Sequence, residues 1–264
     1  MKLPKVLKKV QDKVVEWCYR FMMTDAQKKV EQEVTQAVYK FAEDRAEIVD
    51  IVKKKGFVIL HDALSMNTIS EIKKEFRKII AEDLEKFSSV DRHDGATCIR
   101  IKPFLTLANS KKYPSISAFY FTPVLKKITE SFYKPNRNIE YVSEIFVHET
   151  PETDDPLSNA AHWDRAQTLK FWIYVDDLPA EAGPMLIDPD SVEYNKNTRV
   201  HALNSGRKLV GGVDNLADAD AAHMVALTAN QGSILIHDTD ASHGSSTVKP
   251  GFTRRIIRGH CREK

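Results

Sequence analysis

Ala160-Ala161-His162-Trp163-Asp164 leads within a few residues into Thr168-Leu169-Lys170-Phe171-Trp172-Ile173-Tyr174-Val175, and the nature of this passage decides the fold. The second half reads as a buried strand. The first half sets an imidazole and a carboxylate two positions apart just before it, where both side chains can point to one face. Another histidine, His243, follows a second apolar strand, Ser233-Ile234-Leu235-Ile236. Strands remote in sequence become neighbours in a barrel, so the separation is no obstacle. An HxD alone carries little. A chain with nine histidines has one by chance about half the time.

The chemistry implied is specific. Two imidazoles and one carboxylate on one face of a metal leave three coordination positions open, the arrangement of non-haem Fe(II) oxygenases. Arg254 follows the turn Lys249-Pro250-Gly251 and opens an apolar strand. A guanidinium there can take a carboxylate bidentately, as a dicarboxylate co-substrate requires. Lys170 shares a strand face with Trp172 and needs a charged partner if buried, for which a substrate carboxylate or phosphate is a candidate. His148 ends a strand and is a candidate lining residue. His237 lacks the Gly-Ser that follows His243 and reads as a structural neighbour. Arg254, Arg255, Arg258 and Arg262 form a basic strip without aromatic interleaving, so nucleic acid is not an expected partner.

Around this passage the chain divides in two. Before Gly56 it is helical. Leu3, Val6, Leu7, Val10, Val14, Trp17, Cys18, Phe21 and Met22 make an apolar stripe with lysines opposite. Such a stripe packs on the main domain or a partner subunit or, being basic and bearing a Trp, lies on an anionic membrane surface. Thr24 and Gln27 have capping-box spacing, and a second stripe runs on to about Lys55 as one bent helix or two. After Gly56, Phe57-Val58-Ile59-Leu60 reads as a short strand. Ser65 then caps a helix whose stripe runs from Ile69 to Phe87. Short strands are expected over 98–107, 139–148, 168–175, 184–187, 225–228, 233–237 and 253–259, with a helix near 123–133. Residues 190–222, polar and punctuated by Gly206, Gly211 and Gly212, read as a long excursion over the barrel mouth. The expected class is α+β with a mainly β core. The expected division is an N-terminal helical extension, 1–55, and a barrel domain, 56–264.

With 42% hydrophobic residues the chain can bury a large core, and a net charge of +2 is not that of a polyanion binder. No apolar run reaches the length of a membrane span, and no secretory signal is read. Cys18, Cys98 and Cys261 are scattered, which fits a reducing compartment and argues against a cysteine-based zinc site.

The motifs together resemble the phytanoyl-CoA dioxygenase family of Fe(II)/2-oxoglutarate-dependent oxygenases. The resemblance begins at Gly56-Phe57-Val58-Ile59-Leu60 with Ala63-Leu64-Ser65 and runs to Gly259. His162-Trp163-Asp164 matches the family's HxD and His243-Gly244-Ser245 its distal histidine motif. Glu181-Ala182-Gly183-Pro184-Met185 matches a family turn. By this resemblance the fold is a double-stranded β-helix (jelly roll, cupin-like), with the N-terminal helices packed on or extending from it. His162, Asp164 and His243 hold Fe(II). Arg254, rather than Arg255, and Ser245 hold 2-oxoglutarate, and Trp172 borders its pocket. Arg100 or Lys102 is a further contact from an earlier strand. Two departures stand out: Pro189-Asp190-Ser191-Val192 and His148-Glu149-Thr150-Pro151 differ from the family's usual runs. Asp164 occupies the position where related halogenases carry a small residue, which favours hydroxylation.

The expected function is hydroxylation of an aliphatic carbon of a small-molecule or carrier-bound metabolite, using O2 and releasing succinate and CO2. The alternatives are a membrane-surface oxygenase acting on a lipid or lipid-linked sugar, and a non-catalytic binding protein on the same fold. A cytoplasmic location, peripheral to the membrane through residues 1–22 under the first alternative, is expected. The sequence leaves the oligomeric state and the substrate open.

Overall fold

A computed structural model describes residues 5–82, 89–93, 96–133, 137–153, 161–205 and 223–263. Three helices lead: α1 (Lys5–Met22), α2 (Asp25–Phe41) and α3 (Arg45–Lys55). The capping box forms as expected: the Gln27 amide donates to Thr24 Oγ1 at 3.3 Å and the Thr24 amide to Gln27 Oε1 at 2.9 Å. Residues 24–55 are two helices, because Ala42 turns extended and Asp44 accepts from the Ala46 amide to start α3. Then come β1 (Phe57–Leu60) and α4 (Met66–Ala81), the latter capped by Ser65 as expected. Leu84 and Phe87, the end of the expected stripe, lie outside the described residues, as do Gly95, Gly206, Gly211 and Gly212.

The remaining order is β2 (Ser89–His93), β3 (Ala96–Ile101), α5 (Leu107–Lys112), α6 (Pro114–Phe121), α7 (Pro123–Phe132), β4 (Ile139–Thr150), β5 (Thr168–Tyr174), β6 (Met185–Asp188), α8 (Val192–Asn204), β7 (Val225–Ala226), β8 (Ile234–Asp238), β9 (Ser242–Ser245) and β10 (Arg254–Glu263). The strand expected over 98–107 stops at Ile101, because Thr106 accepts from the Asn109 amide and starts α5. The expected excursion over 190–222 is a helix through 192–204, and residues 206–222 lie outside the described part.

Two antiparallel sheets face one another, ordered β1-β8-β5-β10-β4-β3-β2 and β7-β6-β9. This is the expected double-stranded β-helix. The seven-stranded sheet separates two cores. On its outer face Leu169, Phe171, Ile173, Ile234, Ile236 and Ile257 join one cluster with residues of α2, α3, α4, α6 and α7. On its inner face Trp172, Tyr174, Leu235 and Ile256 meet Met185, Ile187 and Leu227. All seven residues of β5 are buried, as a strand covered on both faces requires.

Helix α1 sits differently from the rest. Tyr19 is 2% exposed and stacks on Phe121 with ring centroids 3.9 Å apart. Of the apolar stripe, Val14, Trp17, Phe21 and Met22 are exposed, Phe21 at 83%. At these positions the stripe does not pack on the domain, whose contact is made by Tyr19, a residue outside it, and the partner-subunit and membrane alternatives stay open. The side chains of Leu3, Val6, Leu7 and Val10 lie outside the described part.

Candidate metal centre

The two ligand segments meet through the backbone. The His162 amide donates to His243 O at 2.8 Å and the His243 amide to His162 O at 2.7 Å, so His162 extends the three-stranded sheet beside β9. The Asp164 amide is held by Thr239 O at 3.2 Å. Helix α8 braces the same region. Asn195 donates to Asp240 O and Ser242 Oγ, both at 2.9 Å, while Arg199 pairs with Asp240 and lies over the Trp163 ring.

His162, Asp164 and His243 each present one ligand atom, all within 4.8 Å of one another. His162 Nε2 and His243 Nε2 each lie 3.8 Å from Asp164 Oδ1. That is too long for hydrogen bonds, yet short enough for one ion with bonds of about 2.1 Å to touch both atoms. The opposite end of each group is committed elsewhere. His243 Nδ1 lies 2.9 Å from Ala241 O, which can only accept, so Nδ1 carries the proton and Nε2 offers its lone pair. Asp164 Oδ2 takes Lys170 Nζ at 2.8 Å. Burial raises the Asp164 carboxyl, but Lys170, His243 and His162 outweigh it and hold the group ionised well below its ordinary range. Burial first, then Lys170, pulls His243 down to about 3. A charged carboxylate and a neutral imidazole are the forms a metal needs. This donor set fits ferrous iron.

Arg254 stands at the start of β10 with its N–H groups partly engaged. It donates to Gly183 O at 2.8 Å and to Thr150 Oγ1 at 3.3 Å, while its buried Nε has no partner. Burial, then Arg258, lowers it to about 10, still charged at neutral pH. Gly183 sits at φ +71, and a Cβ there would lie 2.6 Å from Val248 Cγ2 and 2.9 Å from Ser246 O. Only glycine turns the chain here and presents that carbonyl to the guanidinium. Trp172 is buried and its Nε1 has no partner. Ser245 is half-buried on β9 opposite Met185. An anchored guanidinium with an unused donor suits the distal carboxylate of 2-oxoglutarate.

The other singled-out residues fall in two groups. Lys170 is 3% exposed, and its partner is a protein carboxylate, Asp164. His148 Nε2 lies 3.4 Å from Cys98 Sγ, across from β10. His237 is fully buried, its ring centroid 4.5 Å from that of His243. Arg100 pairs with the buried Glu144, and Lys102 Nζ lies 3.6 Å from the same carboxylate, so both gather at Glu144. Burial holds His148, His237 and His260 well below the ordinary imidazole range. Two inward residues were not placed at the site by the sequence: Arg258, read only as part of a basic strip, and His260. Their signal was available: on β10 they fall four and six residues after Arg254, on the same face.

No curated protein sequence matches the chain. Among solved structures it is similar to the epimerase SnoN in complex with Fe3+, alpha ketoglutarate and nogalamycin RO, at 14% identity over 83% of each chain with a TM-score of 0.58. It is also similar to EvdO2 from Micromonospora carbonacea var. aurantiaca complexed with 2-oxoglutarate, at 14% identity over 83% of this chain and 90% of that one, TM-score 0.54. AviO1 from Streptomyces viridochromogenes Tue57 is similar at 16% identity over 84% and 96% of the two chains, TM-score 0.53. At these identities the likeness speaks for the fold. The family comes from sequence: the model for phytanoyl-CoA dioxygenase matches residues 52–256, a span holding the HxD, the distal histidine and Arg254. The chain belongs to the phytanoyl-CoA dioxygenase family and is a 2-oxoglutarate-dependent non-haem iron dioxygenase that works with Fe(II), 2-oxoglutarate and O2.

Proposed function

We propose that the enzyme hydroxylates an aliphatic carbon of a small-molecule or carrier-bound metabolite, with release of succinate and CO2. The observation that carries this is the triad itself, with three ligand atoms facing one point while Asp164 Oδ2 and His243 Nδ1 are bound elsewhere. In this reading His162, Asp164 and His243 bind iron, Arg254 and Ser245 bind the distal carboxylate of 2-oxoglutarate, and Trp172 walls the pocket. Iron and 2-oxoglutarate, when bound, supply the oxidising power for an unactivated C–H bond. The protein fixes the ligands, aims the substrate and keeps water from the reacting carbon. Lys170 holds Asp164 in one orientation and keeps it charged. An epimerase shares this fold, so the fold alone does not select hydroxylation. The carboxylate of Asp164, standing where related halogenases leave room for chloride, supports it. Asp164→Ala and His243→Ala should each abolish succinate formation, and full activity in either would sink the assignment. Under labelled O2 the product should carry one labelled oxygen, whereas a product of unchanged mass would exclude hydroxylation.

A second reading adds a location. Val14, Trp17 and Phe21 are exposed at 52%, 68% and 83% on a helix whose sequence carries Lys5, Lys8, Lys9, Lys13 and Arg20. No helix among the described residues is long and apolar enough to cross a membrane. An amphipathic basic helix of this kind instead lies in an anionic membrane surface, its apolar face down. The enzyme is then cytoplasmic and peripheral, and its substrate a lipid or lipid-linked sugar. The chain should co-sediment with vesicles containing an anionic phospholipid and lose that binding without residues 1–23. Equal behaviour of the two chains would end this reading.

A further inference from the structure

Among the described residues, the inner face of the seven-stranded sheet carries cationic side chains that no protein carboxylate pairs with. Lys170 is offset by Asp164. Further out, Arg100 and Lys102 gather at the buried Glu144 together with Arg262, which also reaches Glu140. Arg254 is held by neutral acceptors. Arg258 remains. Its neighbours across the ladder are Trp172 on β5 and Phe146 on β4, and its guanidinium carbon lies 5.4 Å and 5.0 Å from the centroids of those two rings. Its Nε is shut off from solvent with no hydrogen-bond partner. Among the described residues no carboxylate comes within ion-pair distance of it. It is near enough to Asp164 and Lys170 to interact electrostatically with both.

A guanidinium laid over aromatic rings keeps its N–H edge free, and that edge is the part that grips an oxyanion with two parallel hydrogen bonds. Leaving the buried Nε without an acceptor is unfavourable, and the described residues supply none, so an oxyanion from outside suits it. Bound iron and 2-oxoglutarate bring equal and opposite charge and leave Arg258 as it is. We propose that Arg258 binds an anionic oxygen group of the substrate, a carboxylate or a phosphate ester, with the adjoining carbon packed between Phe146 and Trp172 and directed toward the iron ligands. The proposal rests on the iron-site reading above and names the substrate class for that site. It also separates two arginines of one strand face: Arg254, pinned by Gly183 and Thr150, serves the co-substrate, and Arg258, for which the described residues supply no polar partner, serves the substrate.

The test is a binding titration on the full chain, anaerobic, loaded with Fe(II) and 2-oxoglutarate and followed through the metal-to-ligand charge-transfer band. The probes are butyrate, butyl phosphate and the neutral butyramide. At least one anion should perturb the band with an affinity at least tenfold above that of butyramide, and the stronger of the two assigns the oxyacid. Added salt should weaken that preference. Arg258→Gln should abolish it and Arg258→Lys retain part of it, with circular dichroism reporting the fold of each variant. Equal binding of anion and amide to the wild-type protein overturns the proposal without any variant. So does an unchanged preference in a folded Arg258→Gln, or displacement of 2-oxoglutarate by the anions. Failure of the band to form in the wild-type protein with Fe(II) and 2-oxoglutarate alone overturns the iron-site reading, and this proposal with it.

Discussion

At the scale of the residue, the iron site depends on groups that never touch the metal. Lys170 is nearly inaccessible, and burial lowers its ammonium while Asp164 partly restores it. Removing it leaves Asp164 Oδ2 without its ion-pair partner, free to rotate and easier to protonate. Lys170→Met should therefore weaken Fe(II) binding about 10–100-fold, the usual effect of losing a partner that orients a metal ligand. An anaerobic Fe(II) titration checks it, and unchanged affinity would make the ion pair incidental. Asp238 offers a separate pH signature. Burial pushes its carboxyl up to about 7, and Gln167 and Arg199 only partly counter this. The unfolded chain has an ordinary carboxyl of about 3.9, so between these values the folded state holds a proton that the unfolded state has lost. Stability from this group is present at low pH and fades as pH rises toward 7. Asp238→Asn does not titrate, and Gln167 can flip its amide to meet the new one. Its melting temperature relative to wild type should rise by several degrees from pH 5 to pH 8, and a constant offset would refute the assignment. The triad was legible because HxD, a distal His-Gly-Ser and a following arginine occur together. The sequence also put Lys170 on the Trp172 face. Its partner was not legible, because strand alternation gives a side and not the contact made there.

Elements were readable where one face is apolar and the other wet, and unreadable where that contrast vanishes. Helices α1, α2, α3 and α4 were evident from their stripes, and α7 was expected near 123–133. Helix α6, Pro-Ser-Ile-Ser-Ala-Phe-Tyr-Phe, has every residue after Pro114 buried and so no periodicity to betray it. Helix α8 fails for the opposite reason: two of its buried anchors, Asn195 and Arg199, are polar. The way α6 seats on the sheet makes a prediction. Tyr120 is fully buried and donates to Phe171 O at 3.1 Å, with its ring pressed against β10 at Gly259. A Cβ at Gly259 would lie 2.5 Å from a Tyr120 ring carbon and 2.9 Å from Val142 Cγ1. A strand glycine here marks close approach rather than a turn. Gly259→Ala should destabilise the protein by about 1–3 kcal/mol, as overpacking of a filled core does. Because Arg258 adjoins it, the variant should also lower succinate yield. Urea unfolding measures the first effect, and an unchanged midpoint would show that the ring moves aside freely.

For the whole molecule, the question is how much of the chain folds as one body. The division expected at residue 55 is a proposal with physical consequences that differ between α1 and the two helices after it. Val30, Val34, Val38, Ile48, Val49 and Val52 are all buried in the outer-face core together with strands β5, β8 and β10. At about 1.5–3 kcal/mol for each buried aliphatic side chain, their loss amounts to ~10 kcal/mol or more. That rivals the entire stability of an ordinary domain, about 5–15 kcal/mol. The same sheet carries Lys170, Trp172 and Arg254 on its other face, so support from α2 and α3 on one side holds the site on the other. The described side chains of α1 contribute far less: Tyr19 on Phe121, the 2.5 Å ion pair of Glu16 with Lys126, and Arg20 with Glu31 at 3.4 Å. We propose that α2 and α3 belong to the catalytic body and that α1 is the appendage. A chain starting at residue 23 should give a cooperative melt, lowered by a few degrees, and keep its Fe(II)–2-oxoglutarate band. A chain starting at residue 56 should lack a cooperative transition and bind a hydrophobic dye. A cooperative melt of the shorter chain near the wild-type temperature would place the boundary at residue 55 after all and make the three leading helices one removable unit.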